Sequence, residues 1–305
     1  MIYDLLIIGG SAAATSAGIY AARRNLNFKI ISKDIGGEVA TSGEIGNWPG
    51  ISHTDGIALA KQFKDHLASY KIEIEDGVEV KKIIRREDGS FSVAAGDGQN
   101  YEAKAVIVAT GVHPKELNLT GEKEFRGKGV SYCTVCDGPM FGGKVTATIG
   151  GGNSVLESAL MLADIASKVY LINKNPQFKG DQILIDKVMA KKNVEIIYNA
   201  KTSQMLGENF VNGLKYIGSD GEEKELKVEG IFVHIGMIPN SGLVTDDVAK
   251  NSFGEIITDK NCMTNIPGLF AAGDVTDVAF KQIVIAAGQG TIALLSAVNY
   301  LNKLK

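Results

Sequence analysis

Only three cysteines occur in 305 residues, two of them as a CxxC pair, too few for the disulfide framework of a small secreted protein. The setting they imply is reducing and cytoplasmic. Basic excess is missing as well: 32 Lys and Arg against 35 Asp and Glu leave a net charge of −3, which excludes a nucleic-acid surface or a polybasic membrane patch. No apolar run approaches the roughly 20 residues that a membrane helix needs. Residues 1–10 lack a basic n-region and a cleavage site and run straight into glycines, so they read as a buried strand rather than a signal peptide. The four histidines (His53, His66, His113, His234) are scattered and Cys262 stands alone, so no second pair completes a zinc site.

What is present is a globular chain with 45% hydrophobic and 22% charged residues, long enough for two domains. Its 36 glycines suit many tight strand-to-helix turns. Tyr3 to Ile8 is an apolar run, an alanine-rich helix follows to about Arg24, and Phe28 to Ser32 is the next strand. Together they make a βαβ unit with parallel strands. Val78 to Tyr101 alternates around Asp88-Gly89 and Asp97-Gly98 as a β-meander, and Ala105 to Gly111 returns as a buried strand. Val112-His113-Pro114 reads as a linker, since proline cannot donate to a ladder.

The same pattern then repeats. Val145 to Ile149 is a strand, Gly150 to Asn153 a turn, Ser154 to Ala166 an amphipathic helix and Lys168 to Ile172 the next strand. A second meander spans about Phe210 to Val228, Ile231 to Gly236 closes the repeat, and Ile238-Pro239-Asn240 is a second linker. The remaining segment, with a strand ending at Asp274 and a helix from about Lys281, completes the first domain. The expected fold is therefore α/β, with two Rossmann-like dinucleotide-binding domains (three-layer ββα), the second inserted in the first. The expected boundaries are 1–113 and 239–305 for the first domain and 114–238 for the second. Two crossings permit hinge rotation.

Each repeat opens on a glycine-rich turn that would bring backbone N–H groups and a helix N-terminus to a pyrophosphate. In the first, Gly9 is followed by Ser11 and Ala14 in place of the second and third glycines. In the second, Gly150 and Gly152 are kept, Val155 takes the third slot, and Asn153 and Ser154 open the helix. After the following strand stand Asn173, Lys174 and Asn175, neither an acid for a ribose 2′-hydroxyl nor an arginine for a 2′-phosphate. Lys174 or Lys179 would meet a phosphate only as a point charge, so NADH and NADPH stay undecided.

Cys133 and Cys136 flank Thr134 and Val135 between the two turns. The spacing closes a small disulfide able to take two electrons, and half a zinc site or two ordinary buried cysteines are the alternatives. Asp137 would give or take a proton when a thiolate forms, or else cap a helix. Two nucleotide turns and a redox pair read as a disulfide reductase. Cys262 reads as a small core residue and His234 as a hydrogen-bonded core histidine. Trp48 is a hydrophobic anchor or a flavin neighbour.

Gly36-Gly37-Glu38-Val39, Asn47-Trp48-Pro49-Gly50, Ala109-Thr110-Gly111, Cys133 to Gly138, Gly150 to Ser154 and Ala272 to Val275 occur in an order that resembles the low-molecular-weight thioredoxin reductase family over the whole chain. Gly129 to Cys133, Gly138-Pro139, Asp181-Gln182 with Asp186 to Val188, Asn193-Val194, Gly230 to Val233, Ile235-Gly236 and Lys281 to Ile283 make it particularly similar to the reductase portion of the alkyl hydroperoxide reductase flavoprotein subunit, without that subunit's thioredoxin-like extension. The resemblance implies an FAD domain with an inserted NAD(P) domain carrying the disulfide, in a homodimer. Gly9, Ser11 and Ala14 would face the FAD pyrophosphate, Asp34 its ribose and Val80 its adenine. Gly36, Gly37, Glu38, Asn47, Ala109, Thr110, Gly111, Asp274, Lys281, Gln282 and Ile283 would line the cofactor. Cys136 would be the sulfur nearer the flavin, and Cys133 the one that attacks a thioredoxin-like or glutaredoxin-like protein. Glu38 stands where the family usually has glutamine, and Asn173-Lys174-Asn175 replaces the family's nucleotide-selecting residues. The expected activity is NAD(P)H:thioredoxin-disulfide reduction. A ferredoxin or other non-nicotinamide donor, a dithiol oxidase using oxygen, and a nucleotide-binding regulator without turnover are the rivals.

Overall fold

The computed structural model describes residues 2–42, 44–72 and 74–304. It divides into two compact units, the first made of Met1–Thr41, Trp48–His113 and Ile238–Lys305, the second of Ser42–Asn47 and Pro114–Met237. The second is thus inserted in the first.

In the first unit the elements run β1 (Ile2–Ile8), α1 (Ala12–Arg23) and β2 (Phe28–Ser32). The two-residue strand β3 (Glu44–Ile45) lies in the segment that groups with the second unit, and β4 (Thr54–Asp55) precedes α2 (Gly56–Ser69) in the first. Then come β5 (Ile74–Asp76), β6 (Val80–Arg85), β7 (Phe91–Ala95), β8 (Asn100–Val108) and β9 (Val112–Pro114). In the second unit are β10 (Val130–Ser131), the single turn α3 (Thr134–Asp137), β11 (Val145–Gly150), α4 (Asn153–Ala163) and β12 (Lys168–Ile172). They are followed by α5 (Gln182–Met189), β13 (Val194–Ile197), β14 (Lys201–Gly207), β15 (Val211–Ile217), β16 (Glu223–Leu226) and β17 (Gly230–His234). Strand β18 (Met237–Pro239) returns the chain to the first unit, where β19 (Leu269–Ala271) and α6 (Ile283–Asn302) complete it.

Both units have the same three layers. The first sheet has the order β5-β2-β1-β8-β7-β6, with β19 also on β8. The strand β8 is shared: its start pairs antiparallel with β7, and its end pairs parallel with β1 and β19. Alternation with period two sends Leu5, Ile7, Ile30 and Ile107 to a core under α1 and α6, and Leu6, Ile8, Ile31 and Val106 to a core under the meander. The second unit repeats this with the parallel order β10-β17-β11-β12-β13 and a separate β14-β15-β16 meander. There Ile231 and Val233 face the meander while Phe232 between them faces α4 and α5. Each fully buried Leu, Ile or Phe of this kind contributes about 1.5–3 kcal/mol.

Four expectations need correction. Val112–Pro114 is a strand, not a bare linker, and pairs with Met237–Pro239. Proline is tolerated because the ribbon is two-stranded, and the Lys115 amide, bonded to the Gly236 carbonyl, takes up the pairing beyond it. The second meander gains a third strand, β14, ahead of the expected start. Helix α4 ends at Ala163, where the Ile165 and Ala166 amides both turn back to the Leu162 carbonyl. Finally, α6 has 20 residues, with an 18-residue window of mean hydropathy 1.5, and is long and apolar enough to cross a membrane by length and composition. Its Gly290, Ala293, Leu294 and Ala297 are buried in the α1–α6 core, and a Cβ on Gly290 would lie 2.0 Å from the Ala13 carbonyl oxygen, so it is a core helix.

Candidate functional site

Three clusters bring most of the sequence-predicted residues together. At the end of β1, a Cβ on Gly9 would sit 2.2 Å from the Ala109 carbonyl oxygen, and one on Gly10 would sit 2.3 Å from that of Asp34. Glycine is therefore obligatory, and the backbone is left bare for a close approach. Ser11 is the N-cap of α1 without a side-chain cap bond, so its hydroxyl does not seal the helix start. Gly37 completes the rim: its ideal Cβ lies 3.6 Å from Ser11 Cβ and 3.9 Å from Asp34 Oδ1. Ala14 differs from expectation. It is 1% exposed and packs α1 on the sheet instead of facing a ligand.

The strand β19 delivers Asp274 into the same unit. Its Oδ1 is sealed from solvent and has no hydrogen-bond partner. Burial, with Glu38 nearby, raises its pKa to about 6 against the opposing pull of Lys281. The Lys281 ammonium is itself committed, to the Thr276 carbonyl at 2.5 Å and Glu255 at 2.9 Å. Gln282 caps α6 and Ile283 begins it. Thr110 and Gly111 are tied to Asn240: Thr110 Oγ1 donates to its carbonyl, while Asn240 donates from Nδ2 to the Thr110 carbonyl and from its amide to that of Gly111. Val80 begins β6 beside a bulge, and Asn47 belongs to the segment that groups with the second unit. Trp48 stacks edge-on against Phe63 at 5.7 Å, an anchor for α2. A bare glycine turn, an open helix start and an orphaned acceptor fit a dinucleotide with ribityl or ribose hydroxyls, such as FAD.

In the second unit the turn after β11 is equally tight, since a Cβ on Gly150 would lie 2.3 Å from the His234 carbonyl oxygen. Gly152 caps α4 without a side chain, Ser154 is exposed, and Val155 is fully buried in the core. Asn153 pairs with Asp181 in both directions, at 2.7 and 3.0 Å. Asn173 is fully buried and spent on its own loop: Oδ1 accepts from the Asn175 amide and Nδ2 donates to the Gln177 carbonyl. It therefore offers nothing outward to a ribose. Lys174 and Lys179 are exposed. The backbone cradle fits a pyrophosphate here too.

The third cluster is a bonded Cys133–Cys136 disulfide, so neither sulfur is a zinc ligand or an ordinary core thiol. Cys133 is the N-cap of α3, its Sγ accepting from the Cys136 amide at 3.2 Å. Its own amide donates to Ser131 Oγ at 3.0 Å. Asp137 closes the turn and caps no helix through its side chain. It is 8% exposed, Oδ1 has no partner, and burial raises its pKa against a hydrogen bond from Ser131. Val135, between the cysteines, is 56% exposed.

Sequence reasoning missed what lies under this turn. Thr134 Oγ1 meets Ser158 Oγ at 2.6 Å and His234 Nε2 at 2.8 Å, and Ser158 meets Thr148 Oγ1 at 3.0 Å. Glu122, 1% exposed, accepts from the Leu117 and Leu119 amides and from Tyr132 Oη. Burial and that carboxylate push the Tyr132 hydroxyl well above its usual pKa. Cys262 is buried beside the Gln289 carbonyl, its thiol pushed up to about 11 by burial.

The pyridine nucleotide-disulphide oxidoreductase family matches residues 3–290. An alkyl hydroperoxide reductase subunit from Escherichia coli is 41% identical over 307 residues, which cover 99% of this chain and 59% of that protein. The chain thus spans little more than half the length of that curated relative. The crystal structure of thioredoxin reductase from Streptococcus pyogenes superposes with a TM-score of 0.93 at 35% identity, covering 99% of each chain. A ferredoxin-flavin thioredoxin reductase from Clostridium acetobutylicum superposes with a TM-score of 0.56 at 33% identity, covering 100% of this chain and 99% of that one.

Proposed function

We propose, since the chain belongs to the pyridine nucleotide-disulphide oxidoreductase family, that it is an FAD-dependent NAD(P)H:protein-disulfide reductase acting on a thioredoxin-like or glutaredoxin-like partner. The observation that carries this reading is the bonded Cys133–Cys136 pair with a sealed carboxyl, Asp137, on the same turn. FAD, when bound, supplies two-electron exchange between a hydride donor and a disulfide. The Gly9–Ser11 turn would hold its pyrophosphate, Asp34 would meet its ribose, and Asp274 would accept from one of its hydroxyls. Gly150 to Ser154 would hold the nicotinamide dinucleotide.

Once the pair is reduced, the Cys133 thiolate attacks the partner's disulfide. A mixed S–S bond forms, the partner's bond breaks, and the departing thiolate takes a proton from Asp137. Cys136 then attacks Cys133 Sγ, which restores the intramolecular disulfide and frees the second partner thiol. The two electrons gained by the partner equal those lost by the pair. Burial raises the Asp137 pKa, which favours a carboxyl that carries a proton to hand on. A homodimer is part of the proposal, supported by Val284 and Ile292, which α6 leaves exposed eight residues apart. A cytoplasmic setting belongs to it as well.

A second reading replaces the nicotinamide by ferredoxin or another donor, favoured by the inward-turned Asn173. Anaerobic titration of the flavin-loaded protein separates the two. Bleaching of the flavin absorbance by NADH or NADPH at low stoichiometry supports the first. If neither bleaches it while dithionite does, the nicotinamide reading fails and ferredoxin takes its place. A Cys136→Ser variant that keeps wild-type protein-disulfide reduction would overturn the relay itself.

A further inference from the structure

Of the two residues between the cysteines, one is exposed and the other is anchored on both sides. Thr134 is 5% exposed, and its single hydroxyl meets Ser158 on α4 and His234 at the end of β17. Interior hydroxyls are retained where they are paired, and this chain of contacts runs on to Thr148 on β11. Burial lowers the His234 pKa to about 4, so the imidazole is neutral at neutral pH. The chain then orders its protons in one of two directions, with Nε2 either accepting from Thr134 or donating to it. Thr134 Cγ2 also lies 3.3 Å from where a Cβ on Gly138 would be, so a side chain at that position would be tight.

The remaining side-chain and backbone bonds of the turn stay local. The Cys133 amide bonds Ser131 Oγ, the Asp137 amide bonds the Cys133 carbonyl, and the Cys136 amide bonds Cys133 Sγ. A four-residue helix has too few internal bonds to hold its own orientation. Ser131 ties its start to β10, and Thr134 bonds it to α4 and to the end of β17.

We propose that Thr134, held by His234 and Ser158, is a positioning residue for the redox pair, keeping the Cys136 amide against the Cys133 sulfur. That N–H is the donor a Cys133 thiolate would use once the disulfide is open, and a hydrogen bond to an anion is stronger than one to a neutral sulfur. Thr134 would thereby set how readily Cys133 ionises and attacks. The titratable groups around the turn are Asp137 on the turn itself, sealed, and His234 from β17. Glu157 on α4 is exposed. This role rests on the reductase reading, but its test needs neither flavin reduction nor a protein partner.

In the full chain carrying Cys136→Ser, alkylation of Cys133 by iodoacetamide is followed between about pH 5 and 10, and the midpoint of the rate profile reports the thiol pKa. Cys262, buried with its thiol pushed up to about 11, stays outside that range. Adding Thr134→Val should raise the midpoint by about one unit, slowing alkylation about tenfold at neutral pH and leaving the alkaline plateau unchanged. Thr134→Ser should follow the parent. A Thr134→Val profile that superposes on the parent, or a Thr134→Ser profile that shifts as far as Thr134→Val, overturns the proposal. If Thr134→Val does not fold, Ser158→Ala, which leaves the turn's own residues intact, must raise the midpoint in the same direction. An unmoved midpoint there overturns it equally.

Discussion

Asp274→Asn is expected to stabilise the flavin-free protein and weaken FAD binding at the same time. The wild-type carboxyl has a sealed, unpartnered Oδ1, and burial with Glu38 nearby raises its pKa from 3.8 to about 6. The folded chain therefore binds this proton more tightly than the unfolded chain. Its contribution to stability is most favourable below about pH 4 and is lost as pH rises through about 6. A shift of about two units corresponds to about 3 kcal/mol. The residue keeps some contact with water, which screens part of this, so about 2 kcal/mol is the expected size. Asparagine fills the same space without a charge to bury. Urea unfolding of the flavin-free proteins at about pH 3.5 and 8 should show similar stabilities at the lower pH and a more stable variant at the higher one. FAD affinity, followed by fluorescence quenching, should fall at least about tenfold, since a hydrogen bond to a charged acceptor is lost. A variant that keeps the wild-type pH dependence would refute the electrostatic argument, and one that binds FAD undiminished would remove Asp274 from the cofactor site.

His234 is held neutral, with its pKa lowered by burial from 6.5 to about 4. The unfolded chain takes up that proton first, so about 3 kcal/mol of stability is lost as pH falls through this window. His234→Gln should flatten the loss when urea midpoints are compared across it. Glu122→Ala leaves two half-buried amides and the Tyr132 hydroxyl without their acceptor. It should cost about 3 kcal/mol or more in chemical unfolding, and a cost under about 1 would show that water reaches the site. Gly150→Ala drives a methyl to 2.3 Å from the His234 carbonyl oxygen. A loss of about 2–4 kcal/mol is expected, with weakened nicotinamide-dinucleotide binding by calorimetry.

Where hydrophobic alternation was strong, the chain could be read directly: Phe28–Ser32 and Lys168–Ile172 are strands with the bounds their apolar patterns suggest. Polar or mixed segments were less legible. Lys201–Gly207 forms a strand because its neighbour β15 pairs with it, not because of its own pattern. Helix α2 went unread although Asp55 caps it and Leu59, Phe63 and Leu67 recur every four residues, because the glycine- and proline-bearing stretch before it reads as loop. In the site, residue types were legible and pairings were not. Nothing local to Thr134 announces an imidazole 100 residues away. Nothing in Asn173-Lys174-Asn175 shows that the first side chain turns inward to hold its loop. Asp137 was open to a capping role by sequence, and the turn gave that place to Cys133 instead.

Asp137 and Asp274 form an instructive pair, one in each unit, each a carboxyl with an unpartnered Oδ1. A fold bears roughly 1–3 kcal/mol for such an atom, which is sustainable where a transient partner completes it. Their surroundings separate the two proposed roles. Asp274 lies in the opposing fields of Glu38 and Lys281, and the Gly273 amide before it donates to Gln289 Oε1, an arrangement that holds an acceptor still for a bound hydroxyl. For Asp137, burial raises the pKa and one hydrogen bond from Ser131 opposes that. Its proton is therefore governed by the dielectric around the disulfide, and any anion formed at Cys133 or Cys136 would raise its affinity for that proton further. Asp137→Asn should accordingly leave FAD binding intact and slow release of the reduced partner, whereas Asp274→Asn acts at the cofactor. Had the two carboxyls been equivalent reservoirs of burial strain, both substitutions would stabilise the protein and neither would divide binding from turnover.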